Sequence, residues 1–130
     1  MRTPQTPAAA PQDQRTSRQR SGDAGEAQAL AYLQGAGLRL LQQNFLCKGG
    51  EIDLIMQDGA ALVFVEVRQR SGGGFGGALA SVTPAKQRRL VHAAQFYLLR
   101  LKPLPPCRFD LVAIDAGKLS WLRNVLEAHA

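Results

Sequence analysis

Residues 49–70 read GGEIDLIMQDGAALVFVEVRQR, two apolar runs around a turn signal at Asp58-Gly59. Aliphatic residues recurring at every second position predict two strands of a β-hairpin. Strand interiors tolerate charge poorly, yet Asp53 lies inside the first run and Glu66 and Arg68 inside the second. With Asp58-Gly59 as a two-residue turn, Gln57 faces Ala60 and Asp53 faces Phe64. Alternation then sends Ile52, Leu54, Met56, Val63, Val65 and Val67 to one face. Asp53, Phe64, Glu66 and Arg68 share the other. Asp53 and Glu66 become diagonal neighbours, about 7–8 Å apart. A slip of one residue would part them.

Two carboxylates at that separation repel unless a cation lies between them. One reading places a hard divalent cation there. Mg²⁺ takes one or two carboxylates and leaves its other positions to water and phosphate oxygens. Arg68, two residues beyond Glu66 on the same face, would then hold a phosphate or the charge developing on it. The other reading is a partly buried salt-bridge network in which Arg68 and Arg108 neutralise the acids, with Glu51 solvated at the strand start.

Upstream, DAGE at 23–26 has the form of a capping box, with Asp23 as N-cap and Glu26 three residues on. Ala27, Leu30, Ala31 and Leu33 continue as an apolar stripe, and Gly37 closes the helix. Glu26 is therefore either the cap partner or a third carboxylate offered to the hairpin. A strand is expected over 38–46, with a turn at KGG. Residues 1–22, rich in Pro, Gln and Arg, carry four arginines and one aspartate. They predict a disordered basic tail, leaving 23–130 as the folded domain.

Downstream, 71–80 is a Gly-rich loop. Its GGGFGG formally fits GxGxxG, but the next helix starts too late and no acid follows at the dinucleotide spacing. A loop over a neighbouring site, with Phe75 as a contact at its tip, fits better. Thr83-Pro84 opens a second helix, Thr as N-cap and Pro at the first position. Leu90, Ala94, Tyr97, Leu98 and Leu101 form its apolar face. Between Thr83 and Lys102 this segment holds Lys86, Arg88, Arg89, Arg100 and Lys102 and no acid. Lys86, Arg88 and Arg89 crowd the end where the helix dipole disfavours cations. They either frame an anion at the free N–H groups or form a solvated basic face. With Arg70 they are the candidate nucleic-acid contacts. A strand at 107–114, a turn at Ala116-Gly117, a short strand at 118–122 and a few helical residues complete the chain. The order αβββαββ predicts an α/β fold, a mixed β-sheet flanked by helices.

The 130 residues suit one domain, and the net charge of +6 favours an anionic partner, nucleic acid and DNA above all. No apolar run reaches the roughly 18 residues of a membrane span, and the first 22 residues lack the apolar core of a secretory signal. A cytoplasmic protein without a membrane partner is expected. Cys47 and Cys107 have no metal-ligand spacing and read as small strand residues. His92 and His129 are isolated. No Ser–His–Asp or Cys–His arrangement and no P-loop are present.

The segments GDAGEAQALAYLQGAGLRLLQQNF, GGEIDLIMQDG, LVFVEVRQR, FGGALASVTPAKQRRL and CRFDLVAI, in this order over about residues 22–125, resemble the YraN family of small bacterial proteins. The resemblance implies a restriction-endonuclease-like core, similar to archaeal Holliday-junction resolvases, with a PD-(D/E)xK-type site. It makes Asp53 the motif aspartate, Glu66 the second acid and Glu26 the helix glutamate, with Asp53 and Glu66 holding Mg²⁺ (or Mn²⁺). The family's motif ends in lysine, where this chain has Glu66-Val67-Arg68. Arginine stays protonated and is confined to stabilising charge or positioning water. The implied function is a metal-dependent endonuclease that hydrolyses phosphodiesters in DNA, branched or single-stranded forms included, with Glu26, Asp53, Glu66 and Arg68 as its catalytic set. The alternative is a non-cleaving nucleic-acid-binding protein with a degenerate nuclease site. An accessory protein whose partner is another protein is a third reading, and a homodimer is compatible with each.

Overall fold

The computed structural model describes residues 17–70 and 81–126, with side chains from Asp23 onward. Helix α1 spans Ser17–Gly35. It starts at Ser17 rather than at the expected Asp23, so residues 17–22 are helical and not part of a disordered tail. Asp23 and Glu26 lie inside the helix, and the capping-box reading fails. SRQRSG contains no proline to stop the helix, and one interior glycine costs only about 1 kcal/mol. The exit follows expectation. Gly37 adopts φ +100, its N–H reaches the Gln34 carbonyl, and the Leu38 N–H reaches that of Leu33, each at 3.0 Å. This is a Schellman closure.

Strands β1 (Arg39–Cys47), β2 (Gly50–Asp58) and β3 (Ala61–Arg70) follow, then helix α2 (Pro84–Leu98), β4 (Cys107–Asp115) and β5 (Lys118–Leu126). The five strands lie in sequence order. Only β3 and β4 run parallel, since only their connection is long enough for a crossover. The expected mixed sheet and αβββαββ order are present. The helices cover opposite faces. Ala29 and Leu33 of α1 pack with Leu54, Met56, Val63 and Val65. Leu90, Ala93 and Ala94 of α2 pack with Phe45, Ile52, Ile55 and Phe64. No described helix is long and apolar enough to cross a membrane.

Three details depart from the sequence reading. The hairpin pairs Asp58 with Ala61, so its turn is Gly59-Ala60. Gly59, at φ +59, takes the first central position that a type II′ turn reserves for glycine. Moving the turn by one residue moves each partner by two, which preserves side-chain parity. Helix α2 ends at Leu98 with Leu99 as C-cap, short of Lys102. Strand β5 runs on to Leu126 instead of giving way to helix, because buried Asp110 accepts hydrogen bonds from Trp121 Nε1 and the Asn124 N–H, both at 2.9 Å. The cysteines are free and half-buried.

One close approach sets where α2 lies. Gly50 is buried, and a Cβ there would run into the Arg89 carbonyl oxygen and the Ala93 side chain. Beside it, His92 Nε2–H donates to the Lys48 carbonyl at 3.0 Å. The β1–β2 turn is thereby held against the second turn of α2.

Candidate functional site

Strands β2 and β3 pair from Asp58↔Ala61 back to Leu54↔Val65 and no further. Past that pair, the Val67 N–H donates to Asp53 Oδ2 at 2.8 Å. A side-chain carboxylate thus satisfies a backbone donor that a strand carbonyl would otherwise take. Packing records the same break. Ile52 belongs to the α2-side core and Leu54 to the α1-side core, although residues two apart in a regular strand share a face. The expected grouping of Ile52 with Leu54 and Met56 therefore fails, and Asp53 occupies the point where the strand changes face.

Three more acids surround this point. Glu66 follows the last residue of β3 that pairs with β2. Glu26 arrives from α1, and Glu51 lies two residues before Asp53 on β2. Burial pushes the Glu66 carboxyl up to about 8, with Asp53 adding to it and Arg68 opposing. Burial likewise raises Glu26 to about 7, followed by the charges of Asp53, Asp23 and Glu51. Asp53 is raised by burial, against the pull of the Val67 N–H. Among the described residues the buried Glu26 Oε1 has no hydrogen-bond partner. Acids crowded and buried in this way resist ionising unless a cation joins them.

Cations approach from two sides. On β3, Arg68 Nη1 is 3.5 Å from Glu66 Oε1, and its Nε donates to Ser81 Oγ at 2.9 Å. On α2, Lys86 and Arg89 are one turn apart on one face. With Glu51, Glu66 and Arg68 they line a cleft of about 150 Å³. Small-molecule pockets run to roughly 300–1,000 Å³, so this one has room for a hydrated ion or a phosphate group. Arg108 is committed elsewhere, 2.9 Å from Asp58 and 3.1 Å from Asp110. The salt-bridge reading of the hairpin therefore holds only for Arg68 and Glu66.

The geometry thus brings together Glu66, Arg68, Lys86 and Arg89 in the cleft, with Asp53 next to Glu66; Glu26 feels the charge of Asp53 but lines a separate cavity with Gln43 and Asn44. The same geometry turns Arg88 away, into a separate groove with Pro84 and His92. Arg70 is exposed at the end of β3. GGGFGG and Phe75 lie outside the described residues. Glu51, read as a solvated strand start, is exposed and also lines the cleft beside Glu66, a placement that sequence reasoning missed. Its signal was its place two residues from Asp53. Among the described residues no group of three or more His, Cys, Asp or Glu is gathered tightly enough to cage a metal. Asp53, with Oδ1 unclaimed by Val67, and Glu66 could hold a cation of the kind that needs only two carboxylates.

A family profile described as "Uncharacterised protein family UPF0102" matches residues 25–114. The chain belongs to the UPF0102 family. The motifs that resemble YraN are those of this family. Among UPF0102 relatives, a protein of Janthinobacterium sp. (strain Marseille) is 62% identical over 114 residues, covering 88% of this chain and 93% of its own. UPF0102 protein HEAR0176 of Herminiimonas arsenicoxydans is 59% identical, covering 88% and 92%. UPF0102 protein RALTA_A3032 of Cupriavidus taiwanensis is 57% identical over 119 residues, covering 90% of each. The matched UPF0102 segment takes in every acid and cation of the site, from Glu26 to Arg89.

Proposed function

We propose that this UPF0102 protein is a metal-dependent nuclease that hydrolyses phosphodiester bonds in DNA, with branched and single-stranded forms as candidate substrates. The observation that carries the reading is the approach of Glu26, Asp53 and Glu66 from three separate elements, each held above the ordinary carboxylate range by burial, with Glu26 and Glu66 raised further by the charge of Asp53. A cluster perturbed in this way next to basic side chains favours a functional site over a structural ion pair.

Asp53 and Glu66 would hold the metal, Mg²⁺ or Mn²⁺. When bound, it would supply Lewis-acid polarisation of the phosphate and an acidified water. The Val67 N–H fixes the Asp53 carboxylate by one oxygen, which lowers the cost of ordering it. Glu26, whose buried Oε1 has no partner among the described residues, would orient the attacking water. Arg68, braced by Ser81 and Glu66, would stabilise charge on the phosphoryl oxygens. Water adds across the P–O bond: its oxygen joins phosphorus and a proton ends on the leaving oxygen. Arg89 and Arg70 would bind flanking phosphates, a contribution that weakens with salt.

The test is cleavage of a panel of junction, flap, single-strand and duplex DNA with Mg²⁺ or Mn²⁺. Wild type is expected to cut at least one substrate, and Asp53→Asn to cut it at least 100-fold more slowly. Asparagine keeps an acceptor for the Val67 N–H, so the fold survives the change. No wild-type cleavage of any substrate would refute the proposal. The arginine at the motif's last position favours a second reading, a binding protein that does not cut. Its mark would be salt-dependent DNA affinity that is indifferent to metal and to Asp53→Asn.

A further inference from the structure

A nuclease motif that ends in arginine leaves the site without the compact ammonium that its pattern normally places beside the acids. We propose that Lys86, delivered by the first turn of α2, supplies that ammonium, contacting the scissile phosphate and the attacking water while Arg68 braces Glu66. This inference rests on the nuclease reading above and assigns within it a catalytic residue that the hairpin motif does not contain.

Four observations support it. Lys86 lines the same cleft as Glu66 and Arg68, arriving from α2 while they stand on β3. It is half-buried, whereas Arg88 and Arg89 beside it are exposed. Among the described residues no acid lies within ion-pair distance of its ammonium, whereas the Arg68 guanidinium is tied to both Glu66 and Ser81. Its backbone is fixed. Thr83 Oγ1 accepts from the Lys86 N–H at 3.2 Å, Pro84 sets the first helical position, and Gly50 lets α2 press onto the acidic strand.

Burial, followed by the charges of Arg68 and Arg70, lowers the Lys86 ammonium from its ordinary range, while Glu66 and Asp53 pull the other way. The ammonium thus feels the acidic site directly. A lysine ammonium has three rotatable donors on a flexible stem, and a guanidinium has a rigid planar fork. The ammonium can turn from water to phosphoryl oxygen as the P–O bond to water forms and the bond to the leaving oxygen breaks. It ends the step still protonated.

Single-turnover cleavage and Mn²⁺ calorimetry without DNA test this on the full chain, with melting curves to confirm that each variant folds. Lys86→Ala is expected to slow cleavage at least 100-fold and Lys86→Arg at least 10-fold. Adding Arg68→Lys to Lys86→Ala should recover at least 10-fold by restoring an ammonium at the motif position. Lys86→Ala should also tighten Mn²⁺ binding by about two- to ten-fold, because one repelling charge has left the site. Lys86→Ala cleaving within threefold of wild type, an absent rescue, or an unchanged Mn²⁺ affinity would each overturn the assignment while the nuclease reading stands. A wild type that cleaves nothing would remove both.

Discussion

Replacing Glu66 with glutamine is expected to stabilise the metal-free protein in alkaline solution. The Glu66 carboxyl is held at about 8, chiefly by burial and then by Asp53, against an ordinary value of about 4.3. Between those values the folded protein holds a proton that the unfolded chain has lost. Stability therefore falls as pH rises through this window, with no penalty below it and the whole penalty above it. A displacement of that size sets a ceiling of about 5 kcal/mol. Water entry through the cleft and side-chain relaxation reduce this to about 2 kcal/mol at pH 9. Glutamine keeps the shape and carries no charge, so it escapes the loss. Urea denaturation at pH 5 and pH 9, with chelator, measures the effect. Wild type should lose about 2 kcal/mol more than Glu66→Gln between the two pH values. Millimolar Mg²⁺ should restore wild type at pH 9 and leave the variant nearly unmoved. Equal losses in the two proteins would refute the electrostatic account of the site.

Gly50→Ala should cost about 2–3 kcal/mol, because the obstacle is the Arg89 backbone and α2 must lift to admit the methyl group. Gly25→Ala meets only the end of the Gln69 side chain, which can swing aside, so helix propensity leaves it within about 1 kcal/mol of wild type. Thermal denaturation of the pair checks the contrast, and equal melting points would contradict it. Ala116→Asn should stabilise by about 0.5–1 kcal/mol. Ala116 holds φ +50 in a turn whose next residue, Gly117, is also at positive φ, a type I′ geometry that asparagine tolerates better than alanine. A lower melting temperature for this variant would show that the turn carries no strain.

Strand alternation and turn chemistry made the hairpin, the second helix with its Thr83 cap and the mixed sheet legible before any coordinates. Parity kept the paired part of the hairpin in step through a misplaced turn, since moving from Asp58-Gly59 to Gly59-Ala60 shifts each partner by two. Asp53 lies beyond the last pair and stays beside Glu66 through the Val67 amide instead. Local rules failed where tertiary contacts outvoted them. The DAGE signature at 23–26 satisfies a capping box on paper, but α1 starts at Ser17. The reach of β5 depends on Asp110, fourteen residues away from Asn124, which no local pattern reports. Glu51 is exposed, as its place at the strand start suggested; what no local pattern reports is that α2, admitted by the missing side chain of Gly50, brings Lys86 and Arg89 beside it. Lys86, Arg88 and Arg89 look equivalent along the chain. Helical phase separates them, with two facing the acids and one turned away.

The hydrogen bond from the Val67 amide to Asp53 gives this aspartate two masters. One is whatever chemistry the acidic cluster performs, and the other is the integrity of the sheet where its strands part. Selection on either preserves the same residue. A lineage that abandoned the chemistry would still keep Asp53 to satisfy a backbone amide, so its persistence in a sequence is weak testimony that the site is in use. Glu26 is a better witness, because its buried Oε1 serves no partner among the described residues, and no hydrogen bond found there would defend it once its task was gone.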